Sequence, residues 1–216
     1  VRDLLATMNI PVIAVNGVEA DDVIGTLTRQ ARAANLDVLI VSSDKDLAQL
    51  VGEDVHLLDT MKNRRMDPAG VVEKFGVRPE QIIDYLTLIG DTSDNIPGVP
   101  GVGPKTAAKW LSEYGGLDAL LADADAIKGK AGERLRAAMD HLPLSKRLTT
   151  IVLDVELPVT LDSLRPGGAE EALLDKVAAA VETVEPGLET GALLDDVDRR
   201  CRAIDSYFAH RAVFSG

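Results

Sequence analysis

The stretch from Gly90 to Thr106 constrains this chain more than any other, because it joins two kinds of chemistry without a linker. It opens with two carboxylates three residues apart, Asp91 and Asp94, in a turn too polar and glycine-rich for a core. It continues as Gly-Val-Gly-Pro-Lys-Thr, a hairpin sequence whose exposed backbone amides favour a phosphate group. We therefore expect a metal-type carboxylate pair beside a hairpin that grips a nucleic-acid backbone.

Further carboxylates follow two predicted strands, at residues 11–15 and 37–41. Because ligands of an open parallel sheet collect at the carboxyl ends of its strands, we expect these side chains to meet at one edge. Together with the pair in the Gly90–Thr106 stretch they make seven candidate metal ligands, of which the last five are also candidate catalytic residues: Glu19, Asp21, Asp22, Asp44, Asp46, Asp91 and Asp94.

Each cluster taken alone has a simpler interpretation. Acidic residues in a first helical turn interact favourably with the helix dipole, by ~0.3–1 kcal/mol each, and Asp44 fits a helix N-cap. Gathered carboxylates, however, repel by roughly 4 kcal/mol per close pair at an intermediate dielectric, so three clusters aimed at one edge favour a bound cation. Oxygen ligands without a nearby histidine indicate Mg²⁺ or Mn²⁺, and two such ions would support phosphodiester hydrolysis.

The hairpin also allows two interpretations. It could be an ordinary turn between helices, in which the glycines supply positive φ angles. Against this, Gly101 and Gly103 precede a helix whose first turn carries Lys105, an arrangement that aligns amides and helix dipole towards an anion. We expect Val99 and Val102 to pack the hairpin inward. The candidate phosphate-binding residues, which would read no bases, are Gly98, Gly101, Val102, Gly103, Lys105 and Thr106.

Strands that alternate with helices up to residue 66 predict an α/β fold, a parallel sheet flanked by helices. The pattern includes a strand at 55–58, and a terminal strand is expected at 152–157. From Asp67 onward the periodicity is helical. We therefore expect three regions, an α/β core at 1–66, a helical DNA-binding region with a helix-hairpin-helix-like motif at 67–158, and an acidic tail at 159–216 with helices at 169–184 and 193–210.

The composition limits the partners and the compartment. A net charge of −12 argues against a nucleic-acid partner, but this argument weakens if seven acids converge on metal ions. Aromatic residues make up 3% of the chain, too few to stack single-stranded bases, so duplex backbone is the better candidate. No segment is apolar enough to span a membrane, and the single cysteine, Cys201, cannot form an internal disulfide. We expect a cytoplasmic protein.

Three stretches carry a resemblance to a known family: Gly17-Val-Glu-Ala-Asp-Asp-Val-Ile-Gly25, Ser43-Asp-Lys-Asp-Leu47 and Gly90 to Gly103. In order and spacing they resemble the 5′ nuclease family, which includes flap endonucleases and the 5′→3′ exonuclease domain of bacterial DNA polymerase I. The resemblance implies a PIN-like parallel sheet with a helical layer, Mg²⁺ or Mn²⁺ at the seven carboxylates, and duplex or 5′-flap DNA as the partner. It also implies a helix-hairpin-helix-like duplex clamp, with K⁺ among its carbonyls in some members.

The sequence also departs from the family pattern. The family's nuclease domain begins with a strand that carries another metal-ligand aspartate, followed by a helical arch with a second aspartate and basic residues that contact the scissile phosphate. This sequence contains neither, so we expect a polypeptide that supplies this part, or a chain inactive by itself. Ser43 stands where a glycine is common.

Three functions remain open. The first is a structure-selective 5′→3′ exonuclease or flap endonuclease that hydrolyses DNA with two metal ions. The second is a non-catalytic duplex-DNA-binding remnant of such a nuclease. The third is another magnesium-dependent phosphoryl-transfer enzyme of the Toprim-like kind, against which the fused hairpin argues.

Overall fold

The computed structural model describes residue 5 and residues 10–164. The chain divides into two compact units, one of residues 15–161 and another that joins residues 1–14 with 162–216. In the second unit, residues 10–14 form no helix or strand. The helices predicted at 169–184 and 193–210 lie outside the described residues.

The sheet of the unit 15–161 has three strands in the order β1-β2-β3. Strands β1 and β2 are parallel, with Val38 opposite Val55, as the sequence predicts. Strand β3 is antiparallel to β2, with Leu57 opposite Met66, and was not predicted. The strands are β1 (Val38–Val41), β2 (Val55–Asp59) and β3 (Arg64–Met66).

Two helical elements on the sheet side place acidic residues. Helix α1 (Ala20–Ala33) begins after Glu19, confirming the predicted helix, and a 3-10 helix (Asp46–Leu50) follows β1. The core-facing residue of this short helix, Leu47, is 1% exposed, so burial of one apolar side chain fixes the acidic turn that precedes it.

The helical layer follows β3, and its ends have clear causes. Prolines stand in the first turn of α2, α4 and α7, where their missing amide costs nothing. Gly76 and Gly115 end α2 and α4 in the left-handed region that glycine enters freely. The helices are α2 (Pro68–Phe75), α3 (Ile82–Ile89), α4 (Pro104–Tyr114), α5 (Leu117–Ala122), α6 (Gly129–Ala138) and α7 (Leu142–Thr149), with 3-10 turns at Pro79–Gln81, Ala124–Ala126 and Leu161–Leu164.

Helix α3 is the centre of this layer. It contacts α4, α7 and the 3-10 helix behind β1, and its Ile82, Leu86 and Leu88 are 0–1% exposed. Gln81, just before it, donates to the carbonyls of Leu111 and Gly115 at 3.0 Å each. One core therefore connects the sheet, the carboxylate-bearing loops and the helix that follows the hairpin.

Two predicted strands are wrong. Residues 11–15 pair with no strand in the described part of the chain, and Val12 is 48% exposed. Residues 152–157 are irregular because side chains of α1 take their backbone groups: the Val155 amide donates to Thr26 Oγ1 at 3.2 Å, and Arg29 donates to the Leu153 carbonyl at 2.7 Å.

The predicted class, an α/β sheet with helices followed by a helical layer, is confirmed, with β3 as an antiparallel addition. Both the predicted core region and the predicted helical region contribute to the unit 15–161. Across the described residues, every helix is too short or too polar to cross a membrane.

Candidate metal centre

The structure brings six of the seven predicted carboxylates to one open cleft of about 490 Å³. The opposite wall is formed by Ile96 and by residues 148–151 at the end of α7. Sequence reasoning did not identify this wall, because it consists of ordinary helix-end residues. The acidic residues that line the cleft are Glu19, Asp21, Asp22, Asp44, Asp46 and Asp94.

Local hydrogen bonds fix the acidic turn after β1. The Asp44 amide donates to Ser42 Oγ at 3.1 Å, and the Asp46 amide donates to Asp44 Oδ1 at 3.0 Å. The N-cap residue of the short helix is Lys45, so the N-cap interpretation of Asp44 is wrong; its carboxylate instead accepts the amide two residues on, in a local turn. One oxygen of its carboxylate is left for a ligand.

Helix α1 supplies the acids on the other side. Glu19 is its N-cap residue but makes no side-chain capping bond, and Asp21 and Asp22 lie in its first turn. Asp22 Oδ1 accepts the Val152 amide at 2.8 Å, which ties this carboxylate to the segment after α7. The dipole interpretation and the ligand interpretation are therefore compatible at α1.

Three carboxylates come closest together: one oxygen each of Asp46, Asp91 and Asp94 lies within 4.8 Å of the others. Asp91, the seventh predicted ligand, is buried, whereas Asp94 is exposed. A small loop sets their spacing, since Asp91 and Ile96 exchange backbone hydrogen bonds of 2.9 and 2.7 Å. The sequence pair three residues apart thus becomes a converging pair in space.

Two carboxylates of the cleft, Asp46 and Asp21, have raised pKa values. Burial, and then repulsion from Asp44, Asp91 and Asp94, raises the pKa of Asp46 to about 6. Burial also raises the pKa of Asp21, with further repulsion from Asp44 and Glu19. Burial is the larger cause of both shifts, and repulsion between the carboxylates adds to it.

Lys45 offsets part of this charge. Its ammonium donates to Asp91 Oδ2 at 2.5 Å, and the Ser93 amide donates to Asp91 Oδ1 at 2.8 Å. The hydrogen bond from Lys45 lowers the pKa of Asp91, so this buried carboxylate stays ionised. Sequence reasoning missed Lys45, although it stands between two predicted ligands in Asp44-Lys45-Asp46.

The residues fit a divalent cation with oxygen ligands. Asp46 Oδ1 is buried and has no hydrogen-bond partner among the described residues, which is costly unless a cation or proton approaches it. The charged side chains that line the cleft are carboxylates, with no histidine or cysteine among them. Such a set suits Mg²⁺ or Mn²⁺ better than zinc.

The hairpin lies between α3 and α4, and its first glycine has a packing role. A side-chain carbon on Gly98 would collide with the Gly90 amide and the Leu88 carbonyl, so the two glycines meet backbone to backbone. His141 Nε2 lies 3.3 Å from the Gly98 carbonyl oxygen. Gly98, a predicted DNA contact, is therefore partly enclosed by the protein itself.

The remaining predicted contacts differ in exposure. Val102 is 7% exposed and its amide donates to the Val99 carbonyl at 3.0 Å, so it packs inward as expected. Gly101 has a φ of +73° and lies against the Arg134 guanidinium, a basic neighbour that the sequence did not indicate. Lys105 is exposed in the first turn of α4, after Gly103, whose surroundings are open.

Thr106 completes the predicted hairpin set. Its amide donates to the Gly103 carbonyl at 3.0 Å, and its side chain is half-buried. The outward groups of the hairpin are therefore chiefly Gly101, Gly103 and Lys105.

Models of two protein-family domains match consecutive parts of the chain. Residues 1–76 match the 5′-3′ exonuclease N-terminal resolvase-like domain, and residues 77–172 match the 5′-3′ exonuclease C-terminal SAM fold.

Curated relatives are DNA polymerases I. The chain is 48% identical to that of Rhizobium leguminosarum over 165 residues, which is 76% of this chain and 16% of the relative. It is 49% identical to that of Pseudomonas aeruginosa over 176 residues, 77% of this chain and 19% of the relative. The chain thus spans less than a fifth of the length of these relatives.

Solved structures share the fold. The T5 5′-exonuclease superposes with a TM-score of 0.62 at 23% identity, covering 81% of this chain and 69% of that one. The catalytic core of Rad2 in complex with DNA substrate gives 0.57 at 19% identity, covering 91% and 65%. A complex of bacteriophage T5 flap endonuclease with DNA and metal ions gives 0.64 at 23% identity, covering 83% and 64%. The expected PIN-like nuclease fold is confirmed, and the chain belongs to the 5′-3′ exonuclease family.

Proposed function

We propose that this chain carries the metal and duplex-binding parts of a 5′→3′ exonuclease or flap endonuclease that hydrolyses DNA phosphodiesters. One observation carries the proposal: the carboxylates of Asp46, Asp91 and Asp94 converge, and two of them, Asp91 and Asp94, lie on the loop that leads into the hairpin. Family membership and the DNA in the T5 and Rad2 complexes support the same substrate.

The seven carboxylates would hold the cations, Mg²⁺ or Mn²⁺ and two ions in number. When bound, such ions supply Lewis-acid activation for hydrolysis of a phosphodiester. Asp46, Asp91 and Asp94 would form the closest set, with Asp44, Asp21, Asp22 and Glu19 around it. Lys45 would hold Asp91 in place through its hydrogen bond.

Without cations the cleft would repel a phosphate backbone, because its charged side chains are acidic. The hairpin would supply the attraction for phosphate that the acidic cleft lacks. The backbone amides near Gly101 and Gly103, the first turn of α4 and Lys105 would bind duplex backbone without reading bases. We propose that Gly98, Val102 and Thr106 pack behind that surface and hold it in shape.

A cleavage assay on a 5′-flap duplex with Mg²⁺ tests the proposal. We expect Mg²⁺-dependent cleavage, by the chain alone or together with a polypeptide that completes the site, to fall more than ~100-fold in Asp46→Asn and in Asp91→Asn, since both remove candidate ligands. Arg78→Met, an exposed change outside the cleft and hairpin, is the control and should cleave normally. Cleavage that persists in EDTA, or in both Asp variants, would contradict the assignment.

Duplex binding separates the second candidate, a non-catalytic DNA-binding remnant. Lys105→Met and Gly103→Asp should weaken duplex binding, and the binding should fall as salt rises. Binding without hydrolysis by pure protein would favour the remnant. Activity on free nucleotides but not on DNA would favour a Toprim-like phosphoryl-transfer enzyme. A polypeptide that adds residues to the site, K⁺ at the hairpin and a cytoplasmic location stay predictions.

A further inference from the structure

A second pocket lies beside the acidic cleft and has a different character. It is small, about 50 Å³, and lies where β1 ends, against the β2–β3 hairpin and α2. Three basic side chains and two serines line it together with two carboxylates and two apolar residues: Lys62, Arg64, Lys74, Ser42, Ser43, Asp44, Asp59, Leu57 and Met66. None of the three basic residues belongs to the seven-carboxylate site or to the Gly90–Thr106 hairpin.

The three cations are close enough to affect one another. Burial, and then repulsion from Lys62, lowers the pKa of Lys74; the attraction of Asp59 opposes this shift, and repulsion from Arg64 adds to it least. The Lys74 ammonium lies 4.8 Å from the centre of the Phe75 ring, and no carboxylate lies within salt-bridge distance of it among the described residues. Repulsion between neighbouring cations costs free energy, and a bound anion lowers that cost.

The carboxylates near this pocket are already engaged. Asp59 Oδ1 accepts the Met61 and Lys62 amides at 3.1 and 3.2 Å, which fixes the turn between β2 and β3. Asp59 Oδ2 also lies 3.6 Å from the Lys62 ammonium, a long ion pair on an exposed lysine. Arg64 pairs with Glu73 at 2.9 Å, but both side chains are exposed, so this pair is weak and exchangeable. The lining thus holds three basic side chains against two carboxylates, a formal charge of +1. Among the described residues Lys74 has no carboxylate at salt-bridge distance, so it is the side chain that attracts an anion most.

Asp44 connects the pocket with the metal centre, because it lines both. A strand whose reacting phosphate lies at the carboxylates would thus carry a neighbouring phosphate past Ser43 towards Lys74. The pocket holds a few water molecules by volume, enough for one tetrahedral oxyanion and too little for a base.

We propose that Lys62, Arg64 and Lys74 form a binding site for one backbone phosphate of the strand that is cleaved at the acidic cleft. The serine hydroxyls of Ser42 and Ser43 add neutral donors to this site. The inference rests on the proposed nuclease function and extends it, because it assigns substrate positioning to a hairpin outside the duplex clamp.

The test measures binding of a fluorescent 5′-flap duplex by anisotropy, with Ca²⁺ in place of Mg²⁺ to keep the substrate intact. We expect Lys74→Met and Arg64→Met each to weaken binding by roughly tenfold. Each should also lower the slope of log K against log salt by about one, the value of one lost phosphate contact. The methionine keeps the aliphatic contact of Lys74 with Phe75.

Arg65→Met is the matched control. Arg65 is the next residue of β3 and points to the other face of the strand, where it lies 2.6 Å from His56 Nδ1. The Arg65→Met variant loses one positive charge from the β2–β3 hairpin, as Arg64→Met does. We expect binding within about twofold of the wild type, because only generic electrostatics is lost.

Single neutral methylphosphonates in the flap strand give a second measurement. At one position next to the cleaved bond, the methylphosphonate should weaken duplex binding by the wild type but not by Lys74→Met. The reason is that the methylphosphonate and the loss of Lys74 remove the same contact. If the Lys74 and Arg64 variants bind the duplex as Arg65→Met does, the proposed phosphate site is wrong, while the proposed duplex binding is unaffected. If the wild type binds no duplex at all, the proposed function fails and the pocket with it.

Discussion

Asp46 shows at one residue why this cleft suits a cation. One of its oxygens is buried without a donor, and the carboxylates of Asp44, Asp91 and Asp94 face it. Its folded-state pKa of about 6 lies above the ordinary value of 3.8. The folded protein therefore holds a proton there that the unfolded chain releases, and ionised Asp46 destabilises the metal-free protein.

Asp46→Asn should stabilise the metal-free protein at neutral pH. The contribution of Asp46 is fully favourable below pH 4 and is lost as pH rises through about 6. We expect a gain of about 1–2 kcal/mol at pH 7.5 and almost none at pH 4, less than the roughly 3 kcal/mol of the full shift because Asp46 is only partly buried. Urea unfolding in EDTA measures it.

The exposed Asp140→Asn serves as the control and should change stability by less than ~0.5 kcal/mol at both values of pH. A loss of stability for Asp46→Asn at neutral pH would mean that Asp46 is held by donors that the structure does not contain.

The candidate ligands after β1 and in the Gly90–Thr106 stretch were placed for the right reason, a strand end and a polar turn. Glu19, Asp21 and Asp22 reach the same cleft from the start of α1, because the strand predicted before them does not form. The role of Lys45 was not predictable, although its ion pair with Asp91 connects the acidic turn after β1 with the loop after α3. A lysine between two aspartates is ordinarily a solvated side chain. Only the fold shows that the loop after α3 brings a buried carboxylate to within reach of it.

At the scale of elements, two hairpin glycines that look alike in sequence have different roles. Gly98→Ala should destabilise the protein by about 1–3 kcal/mol, because the methyl group would overlap the Gly90 and Leu88 backbone. Gly103→Ala is the matched control: its φ is −106° and nothing lies within 4 Å of the added carbon. We expect a change within ~0.5 kcal/mol there.

Thermal unfolding of both variants checks this difference. Equal stability of the two would show that α3 and the hairpin separate easily, contrary to their contact at Gly90. The Gly103 variant should also retain duplex binding, since it keeps the backbone amide.

The errors of the sequence prediction have different physical causes, and competition for backbone hydrogen bonds explains the one at residues 152–157. Residues 11–15 and 152–157 have strand-like composition, but a strand needs a partner, and side chains of Asp22, Thr26 and Arg29 bond residues 152–155 instead. Strand β3 has only three residues, two of them arginine, so its alternation is too short to recognise. Long helices with an apolar stripe, such as α1, were predictable because periodicity alone defines them.

For the whole molecule, much of the net charge of −12 is concentrated in one place, where seven acids gather. Mn²⁺ or Mg²⁺ at about a hundred times its dissociation constant should stabilise the protein by about 2.7 kcal/mol. For a chain of this size the melting temperature should then rise by roughly 5–11 °C. Differential scanning calorimetry at pH 7.5 measures it.

Asp91→Asn should remove most of this rise, whereas K⁺ at the same ionic strength should not reproduce it. A melting temperature that responds equally to Mn²⁺ and to added salt would contradict a specific site and leave only general screening.

The contact between Gly90 and Gly98 has a consequence for regulation. It closes the loop that carries Asp91 and Asp94 at the point where the hairpin begins, and no side chain separates the two backbones. We expect a duplex on the hairpin and an ion at the carboxylates to act as effectors of each other. Whatever factor the duplex adds to the affinity for the ion, the ion must add to the affinity for the duplex.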